Sequence, residues 1–104
     1  MKLVTIESPY SGLVERNLGY LHDCVHDSLK RGEAPFASHG FYTRFLDDEV
    51  LAERDLGICC NFAWMRKADL VAFYVDYGVT DGMRAAFRVV TEKNYKYEIR
   101  RIKR

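Results

Sequence analysis

Net charge, cysteine and long apolar runs are all scarce in this 104-residue chain. Sixteen basic and fifteen acidic side chains leave a net charge of +1, which argues against the basic surface of a dedicated nucleic-acid-binding protein. No apolar run approaches the roughly 20 residues that span a bilayer, and Glu7 comes too early for a signal peptide. We therefore expect one small cytoplasmic domain, residues 1–104, with no membrane partner.

The cysteines and histidines lack the spacing of a metal site. Cys24, Cys59 and Cys60 are odd in number, and no Cys-x-x-Cys or His-x-x-His pattern accompanies them. His22 and His26 lie four residues apart on a predicted helix, but the sequence offers no third ligand nearby. We therefore expect reduced cysteines, no bound metal and no cofactor.

Apolar periodicity predicts four strands and three helices in alternation. The predicted strands are residues 2–6, 34–38, 69–76 and 95–102, and the predicted helices are residues 13–31, 51–67 and 83–94. The third strand is a continuous apolar run between two acids, which is typical of a strand covered on both faces of a parallel sheet. This alternation predicts an α/β fold with a small parallel sheet and helices on both faces.

Two of these elements carry a regular side-chain pattern. The first helix has an apolar face whose members recur at helical spacing: Val14, Leu18, Leu21, Val25 and Leu29. In the last strand, apolar and charged residues alternate: Tyr95, Tyr97 and Ile99 against Lys96, Glu98 and Arg100. This second pattern predicts a half-exposed edge strand whose charges discourage association between sheets.

Ligands of parallel α/β sheets bind beyond the carboxyl ends of the strands. Three loops are expected there, residues 8–17, 38–42 and 76–83. The first combines small hydroxyl residues and glycine with Arg16 and Asn17 early in the following helix, so its backbone N–H groups and Arg16 can bind an anion. The alternative is an ordinary helix cap with a solvated Arg16.

The other two loops contain groups suited to proton transfer. The second holds His39 beside Ser38, and histidine is a common acid–base catalyst, although a lone histidine is also common as a surface residue. In the third, Asp76 and Asp81 follow the buried strand, where carboxylates can accept hydrogen bonds from sugar hydroxyls or act as an acid–base pair. Asp81 or Thr80 can instead simply cap the next helix.

Several sequence blocks together resemble one known family. They are Glu7-Ser8-Pro9-Tyr10-Ser11-Gly12, Arg16-Asn17, the Gly-Glu-Ala-Pro-Phe-Ala-Ser-His block at residues 32–39, Ala68-Asp69, Asp76-Tyr77-Gly78 and Asp81-Gly82-Met83. Spread over nearly the whole chain, these blocks resemble those of small, often phage-encoded proteins related to nucleoside 2-deoxyribosyltransferases. The resemblance implies a flavodoxin-like or Rossmann-like three-layer α/β sandwich with a four- to five-stranded parallel sheet. It also implies a nucleoside or nucleotide ligand and a homo-oligomer, a dimer or larger, in which a neighbouring subunit helps to close the site.

The resemblance further implies roles for individual residues. Asp69, Asp76 and Asp81 are candidates for the aspartates that handle the base, and Tyr10 for the tyrosine that orients the nucleophile; Tyr10, Asp76 and Asp81 are the implied catalytic residues. The implied ligand-binding residues are Ser8, Pro9, Ser11, Gly12, Arg16, Asn17, Ser38, His39, Asp69, Gly82, Met83 and Arg84. In that family a glutamate early in the last helix attacks the anomeric carbon of deoxyribose. No acid follows Gly82-Met83 here: alignment on Gly-Met puts Arg84 at the corresponding place, and alignment on the glycine alone puts Ala86 there.

The missing nucleophile leaves two hypotheses. Either Asp76 or Asp81 activates water to hydrolyse an N-glycosidic bond, or the protein binds a nucleotide without cleaving it, for example as a phage protein that sequesters a signalling nucleotide. Arg84, at the positive end of a helix, favours a ligand that carries phosphate.

A third hypothesis is a module that binds a host protein through exposed aromatic residues, since interfaces favour them. The candidates are Tyr10, Phe41, Tyr42, Phe45 and Trp64. The alternative is that Phe41, Phe45 and Trp64 fill the core or a homodimer contact.

Overall fold

Four parallel strands form the central sheet of the computed structural model, which describes residues 1–103. Arg104, the last residue of the predicted domain, lies outside the described residues. The strands are β1 (Leu3–Glu7), β2 (Ala34–Phe36), β3 (Leu70–Tyr74) and β4 (Tyr97–Arg100). The helices are α1 (Val14–Lys30), α2 (Ser38–Phe41), α3 (Leu51–Lys67) and α4 (Asp81–Lys93), with a 3₁₀ turn at Tyr42–Arg44.

The strand order is β2-β1-β3-β4, and all three pairings are parallel. This is the order of a flavodoxin-like sheet, so the predicted α/β class, parallel sheet and three layers are confirmed, with four strands. Among residues 1–103, no helix has both the length and the apolarity that a membrane crossing requires.

Two apolar clusters separate the sheet from its helices. On one face, Val4 and Ile6 of β1 pack with Tyr20, Leu21 and Cys24 of α1. The other face is covered by α3 and α4. There, Met65 of α3 and Ala86 and Val90 of α4 pack with Val71 and Phe73 of β3 and form the second cluster. Because side chains alternate along a strand, Thr5 and Glu7 point toward the α3 and α4 side.

Element boundaries differ from the predictions where polar side chains bond to the backbone. β3 is shorter than residues 69–76 because the Asp69 carboxylate accepts the Leu3 N–H at 2.8 Å, and the Asp76 carboxylate accepts the Ile102 N–H at 2.9 Å. α4 begins two residues earlier than predicted, because the Thr80 hydroxyl accepts the Met83 N–H and caps the helix.

The second predicted strand is also shorter in the structure. It was expected to run through residue 38, but it ends at Phe36, and Ser38 begins the short helix α2. The region between β2 and α3 therefore contains a helix and a 3₁₀ turn where the sequence indicated a loop.

The apolar face predicted for α1 only partly coincides with the face that packs on the sheet, since Leu21 is buried and Val25 packs against the first cluster. Val14, Leu18 and Leu29 remain exposed. The buried face is instead formed by Asn17, Tyr20, Leu21, Cys24 and Ser28. Its polar members are all hydrogen-bonded: Asn17 to the first loop, Tyr20 to the Asp76 N–H, and Ser28 to Glu33. Hydropathy predicted only part of this face, because the burial of Asn17 and Ser28 depends on hydrogen bonds rather than on apolarity.

Arg100 also departs from the alternation predicted for the last strand. Arg100 is only 4% exposed, whereas Tyr97 and Ile99 stay partly in solvent. Two nearly parallel hydrogen bonds, of 2.9 and 2.8 Å, join its guanidinium to the Glu33 carboxylate, and a third runs to the Tyr74 hydroxyl at 3.1 Å. The hydrogen bond from Arg100 holds the pKa of Glu33 below its usual range, so the pair is ionised at neutral pH.

We predict that Arg100→Met lowers the free energy of unfolding by about 3 to 5 kcal/mol, because it leaves the Glu33 carboxylate buried without its cation. Urea denaturation at neutral pH measures the change. Arg101→Met, which alters the neighbouring exposed arginine, should stay within about 0.5 kcal/mol of wild type. The double variant Glu33→Gln, Arg100→Met should recover part of the loss. An equal effect of the two single arginine variants would contradict the importance of the ion pair.

Candidate active site

A cleft opens at the carboxyl edge of the sheet, where the strand order reverses. β1 lies between β2 and β3, so the chain leaves β1 toward one side of the sheet and later returns to the other. The cavity volume is about 170 Å³. Its walls come from the end of β1, the first loop, α2, α3 and the start of α4. The residues that line it include Glu7, Ser8, Tyr10, Ser11, Ser38, His39, Tyr42, Asp48, Glu53, Arg54, Asn61, Phe62, Gly82 and Met83.

Glu7, the last residue of β1, places a buried carboxyl group at the bottom of this cleft. The residue is 5% exposed, and it pairs in register with Phe73 of β3. Its partner is Asn61 of α3, whose Nδ2 donates to Glu7 Oε2 at 2.8 Å. Burial raises the pKa of Glu7 to about 7, and the hydrogen bond from Asn61 offsets only part of this rise. Glu7 can therefore both donate and accept a proton near neutral pH.

A serine and a histidine form the second polar pair of the cleft. Ser8 Oγ lies 2.7 Å from Nε2 of His39, which brings the end of β1 together with α2. Burial lowers the pKa of His39 to about 4, so the imidazole is neutral at physiological pH. A neutral imidazole donates at one nitrogen and accepts at the other. The pair can therefore form hydrogen bonds to a ligand, but it supplies no positive charge.

Carboxyl groups outnumber cations around the cleft. Asp48 and Glu53 line it together with Glu7, and the one arginine among the lining residues is Arg54 of α3. Glu53 is held by the backbone, since its Oε1 accepts the Asp47 N–H at 3.0 Å. This charge balance does not favour a strongly anionic ligand. Within residues 1–103, no three His, Cys, Asp or Glu side chains are grouped closely enough to hold a metal ion.

The first loop forms one wall of the cleft, as its position after β1 predicts. Tyr10 and Ser11 line the cavity, and Asn17 holds both of them, because its Nδ2 donates to the Tyr10 carbonyl at 3.1 Å and to the Ser11 carbonyl at 2.9 Å. Gly12 has a φ of 97°, a backbone conformation that favours glycine. Pro9 lies in the same loop between Ser8 and Tyr10.

Arg16 has a different environment from the one expected of an anion ligand. Its Nη2 donates to Asn17 Oδ1 at 3.1 Å, and its guanidinium lies 4.4 Å from the centre of the Tyr77 ring. Arg16 is not among the residues that line the cleft. Asn17 therefore positions the first loop, whereas Arg16 contacts Tyr77.

The structure does not bring the three candidate aspartates into the cleft. Asp69 precedes β3 and therefore lies at the amino edge of the sheet, opposite the cleft. Asp76 is engaged by the backbone N–H groups of Ile102 and Lys103. The Asp81 carboxylate is exposed and accepts a hydrogen bond of 2.9 Å from Arg84. Of the residues expected around the last helix, Gly82 and Met83 line the cavity, while Arg84 does not.

Most of the lining residues were not identified as site residues from the sequence, among them Glu7, Arg54 and Asn61. Glu7 is the first residue of the first sequence block. It lies two residues after Thr5, so both side chains point to the same face of β1, and this position could have indicated that Glu7 faces the helices. Arg54 and Asn61 lie in the middle of α3, where nothing in the sequence distinguishes them from residues in solvent. Only the packing of α3 over the end of β1 brings them to the cleft.

The strand order and the cleft at its reversal define a small flavodoxin-like α/β protein with a cleft at the topological switch point. A family model described as a domain of unknown function, DUF7768, matches residues 2–100, and the chain belongs to that family. No curated protein matches the chain.

Burial of Glu7 predicts a specific pH dependence of stability. The unfolded chain releases this proton near pH 4.5 and the folded chain near pH 7, so the folded state loses stability as pH rises between these values. Relative to wild type, we expect Glu7→Gln to gain about 3 kcal/mol in free energy of unfolding between about pH 4.5 and about pH 8. Urea denaturation of both proteins across this range measures the difference.

Asp81→Asn is the matched control for this experiment, because it neutralises an exposed carboxylate outside the cleft. The difference between the Glu7→Gln variant and wild type isolates Glu7 from other titrating groups such as His39. A difference that stays constant with pH would show that Glu7 is not buried in the folded protein.

Proposed function

We propose that the chain binds a nucleoside or nucleotide in the switch-point cleft and cleaves its N-glycosidic bond, with Glu7 as the catalytic acid and base. The observation that carries this proposal is a single carboxyl group, buried at the end of β1 in a cleft, whose pKa is raised to about 7. Perturbed carboxyl groups in clefts are frequent at catalytic sites. The choice of a nucleoside rests on the sequence blocks that resemble nucleoside 2-deoxyribosyltransferase-like proteins.

The chemistry needs only one carboxyl group and water. As the bond from C1′ to the base nitrogen breaks, its electron pair goes to the base, and protonated Glu7 supplies the proton that neutralises it. Water then adds to the electron-deficient C1′, and ionised Glu7 accepts the proton that this water loses. The products are the free base and the sugar, and Glu7 returns to its protonated state.

Glu7 provides the carboxyl group that the start of α4 lacks. The resemblance assigns the reacting carboxyl group to the start of the last helix, where Arg84 stands here and turns toward Asp81. Glu7 and Met83 line the same cavity, so the carboxyl group from β1 lies in a cleft that the start of α4 also borders. Glu7 is better placed for this reaction than Asp76, which is engaged by backbone N–H groups, or Asp81, which is exposed.

The size and polarity of the cleft agree with part of a nucleoside. A cavity of about 150 Å³ accommodates one benzene ring, so the volume of about 170 Å³ suits one ring of the ligand. The Ser8–His39 pair can bond to a hydroxyl or ring nitrogen, and Tyr42 and Phe62 supply aromatic surface. Because carboxyl groups outnumber cations at the cleft, we propose that an uncharged nucleoside is preferred to its monophosphate.

We predict that the protein releases free base from one or more nucleosides, and that Glu7→Gln lowers kcat by roughly 10²- to 10⁴-fold. Glutamine keeps the size of the side chain and an oxygen for Asn61, but it cannot transfer a proton. Because the protonated form is needed, kcat/KM of the wild type should fall as pH rises above 7. Chromatography of incubations with a panel of nucleosides and their monophosphates measures base release.

Asp81→Asn serves as the control, and its rate should equal that of wild type. A loss of activity in Asp81→Asn but not in Glu7→Gln would instead support activation of water by Asp81. If nucleosides raise the melting temperature and no base is released, the chain is a binding protein without this chemistry.

A further inference from the structure

The outer face of α3 is an apolar surface with no partner in the monomer. Although α3 has 17 residues, Met65 is its one fully buried member. On the side away from the cleft, Ala52, Leu56, Cys59 and Ala63 are all exposed and follow one another at intervals of four, three and four residues. This face, defined by these four residues, is called the α3 seam below.

The spacing of the α3 seam is that of a helix that packs along another helix. Intervals of four and three residues keep apolar side chains on one line over successive turns, as in a coiled coil. Ala52, Cys59 and Ala63 are small enough for two helix backbones to approach closely. Leu56 supplies the apolar bulk and is 54% exposed in the monomer. Burial of such a patch against a partner is favourable.

The charges beside the seam favour a second copy of the chain in antiparallel orientation. Glu49 and Asp55 lie at or near the start of α3, and Arg66 and Lys67 lie at its end. None of these four side chains takes part in an ion pair in the part of the chain from residue 1 to 103. In an antiparallel pair, the acidic end of each helix meets the basic end of the other, whereas a parallel pair places like charges together.

We propose that two copies of the chain associate through antiparallel packing of their α3 seams about a two-fold axis. Such an interface is isologous, so each copy supplies both the acidic and the basic end. The opposite side of α3 carries Arg54 and Asn61 into the cleft. A second copy therefore holds the helix that positions Asn61 on Glu7. The association does not depend on which ligand the cleft binds.

Leucine-to-glutamate substitutions at two matched sites test the surface. Leu56 is 54% and Leu29 is 53% exposed, but Leu56 lies in the seam and Leu29 lies on α1. We expect wild type to sediment as a dimer, Leu56→Glu to weaken the dimer by about tenfold or more, and Leu29→Glu to leave it unchanged. Circular dichroism verifies that both variants fold. A wild type that is monomeric at every concentration, or a dimer weakened only by Leu29→Glu, would overturn the proposal.

A charge exchange tests the orientation. Arg66→Glu should weaken the dimer, because the new acid meets Glu49 of the partner copy. Adding Glu49→Arg to the same chain should restore the association, since both ends then carry exchanged charges and neither residue lines the cleft. If the double variant associates no better than Arg66→Glu alone, the antiparallel arrangement is wrong. A wild type that stays monomeric but binds a different protein through Leu56 would also refute self-association.

Discussion

The parallel pairing of β1 with β3 is the constraint on which the rest of this structure depends. It sets the ends of both strands at one edge of the sheet and brings Glu7 into register with Phe73. With α3 packed over this edge, the carboxyl group at the end of β1 has apolar neighbours and one amide, Asn61, as its described hydrogen-bond partner. Cleft, burial and perturbed pKa all follow from this one pairing.

Two buried carboxyl groups have opposite pKa shifts because their surroundings differ. Glu33 faces Arg100, donors occupy both of its oxygens, and its pKa is lowered. Glu7 faces no cation, and its pKa is raised. The first arrangement ties β4 to the start of β2 and stabilises the charged state. The second makes the charged state unfavourable, and a protein retains such a group at a cost in stability where proton transfer is useful.

The sequence was sufficient for the four strands, the three longer helices and the layers, because apolar periodicity follows directly from which faces are covered. α3 begins and ends where the pattern predicted. Faces defined by hydrogen bonds were beyond its reach, because hydropathy carries no information about hydrogen-bond partners. Asn17 and Ser28 bond to nearby loop residues, and Arg100 bonds to Glu33, which is distant in the chain. The same reason explains the site. The position after a strand correctly predicted that Ser8 lines the cleft. It also predicted Asp76, but the Asp76 carboxylate accepts the Ile102 N–H instead.

The amide of Asn17 has a consequence for how the cleft receives a ligand. By donating to two successive carbonyl groups, it fixes the backbone of the first loop, so less conformational entropy would be lost there on binding of the proposed ligand. The opposite wall, α3, has far less buried contact and can shift more readily. For the proposed ligand, we therefore expect selectivity for shape on the Tyr10 side and adaptation to size on the α3 side.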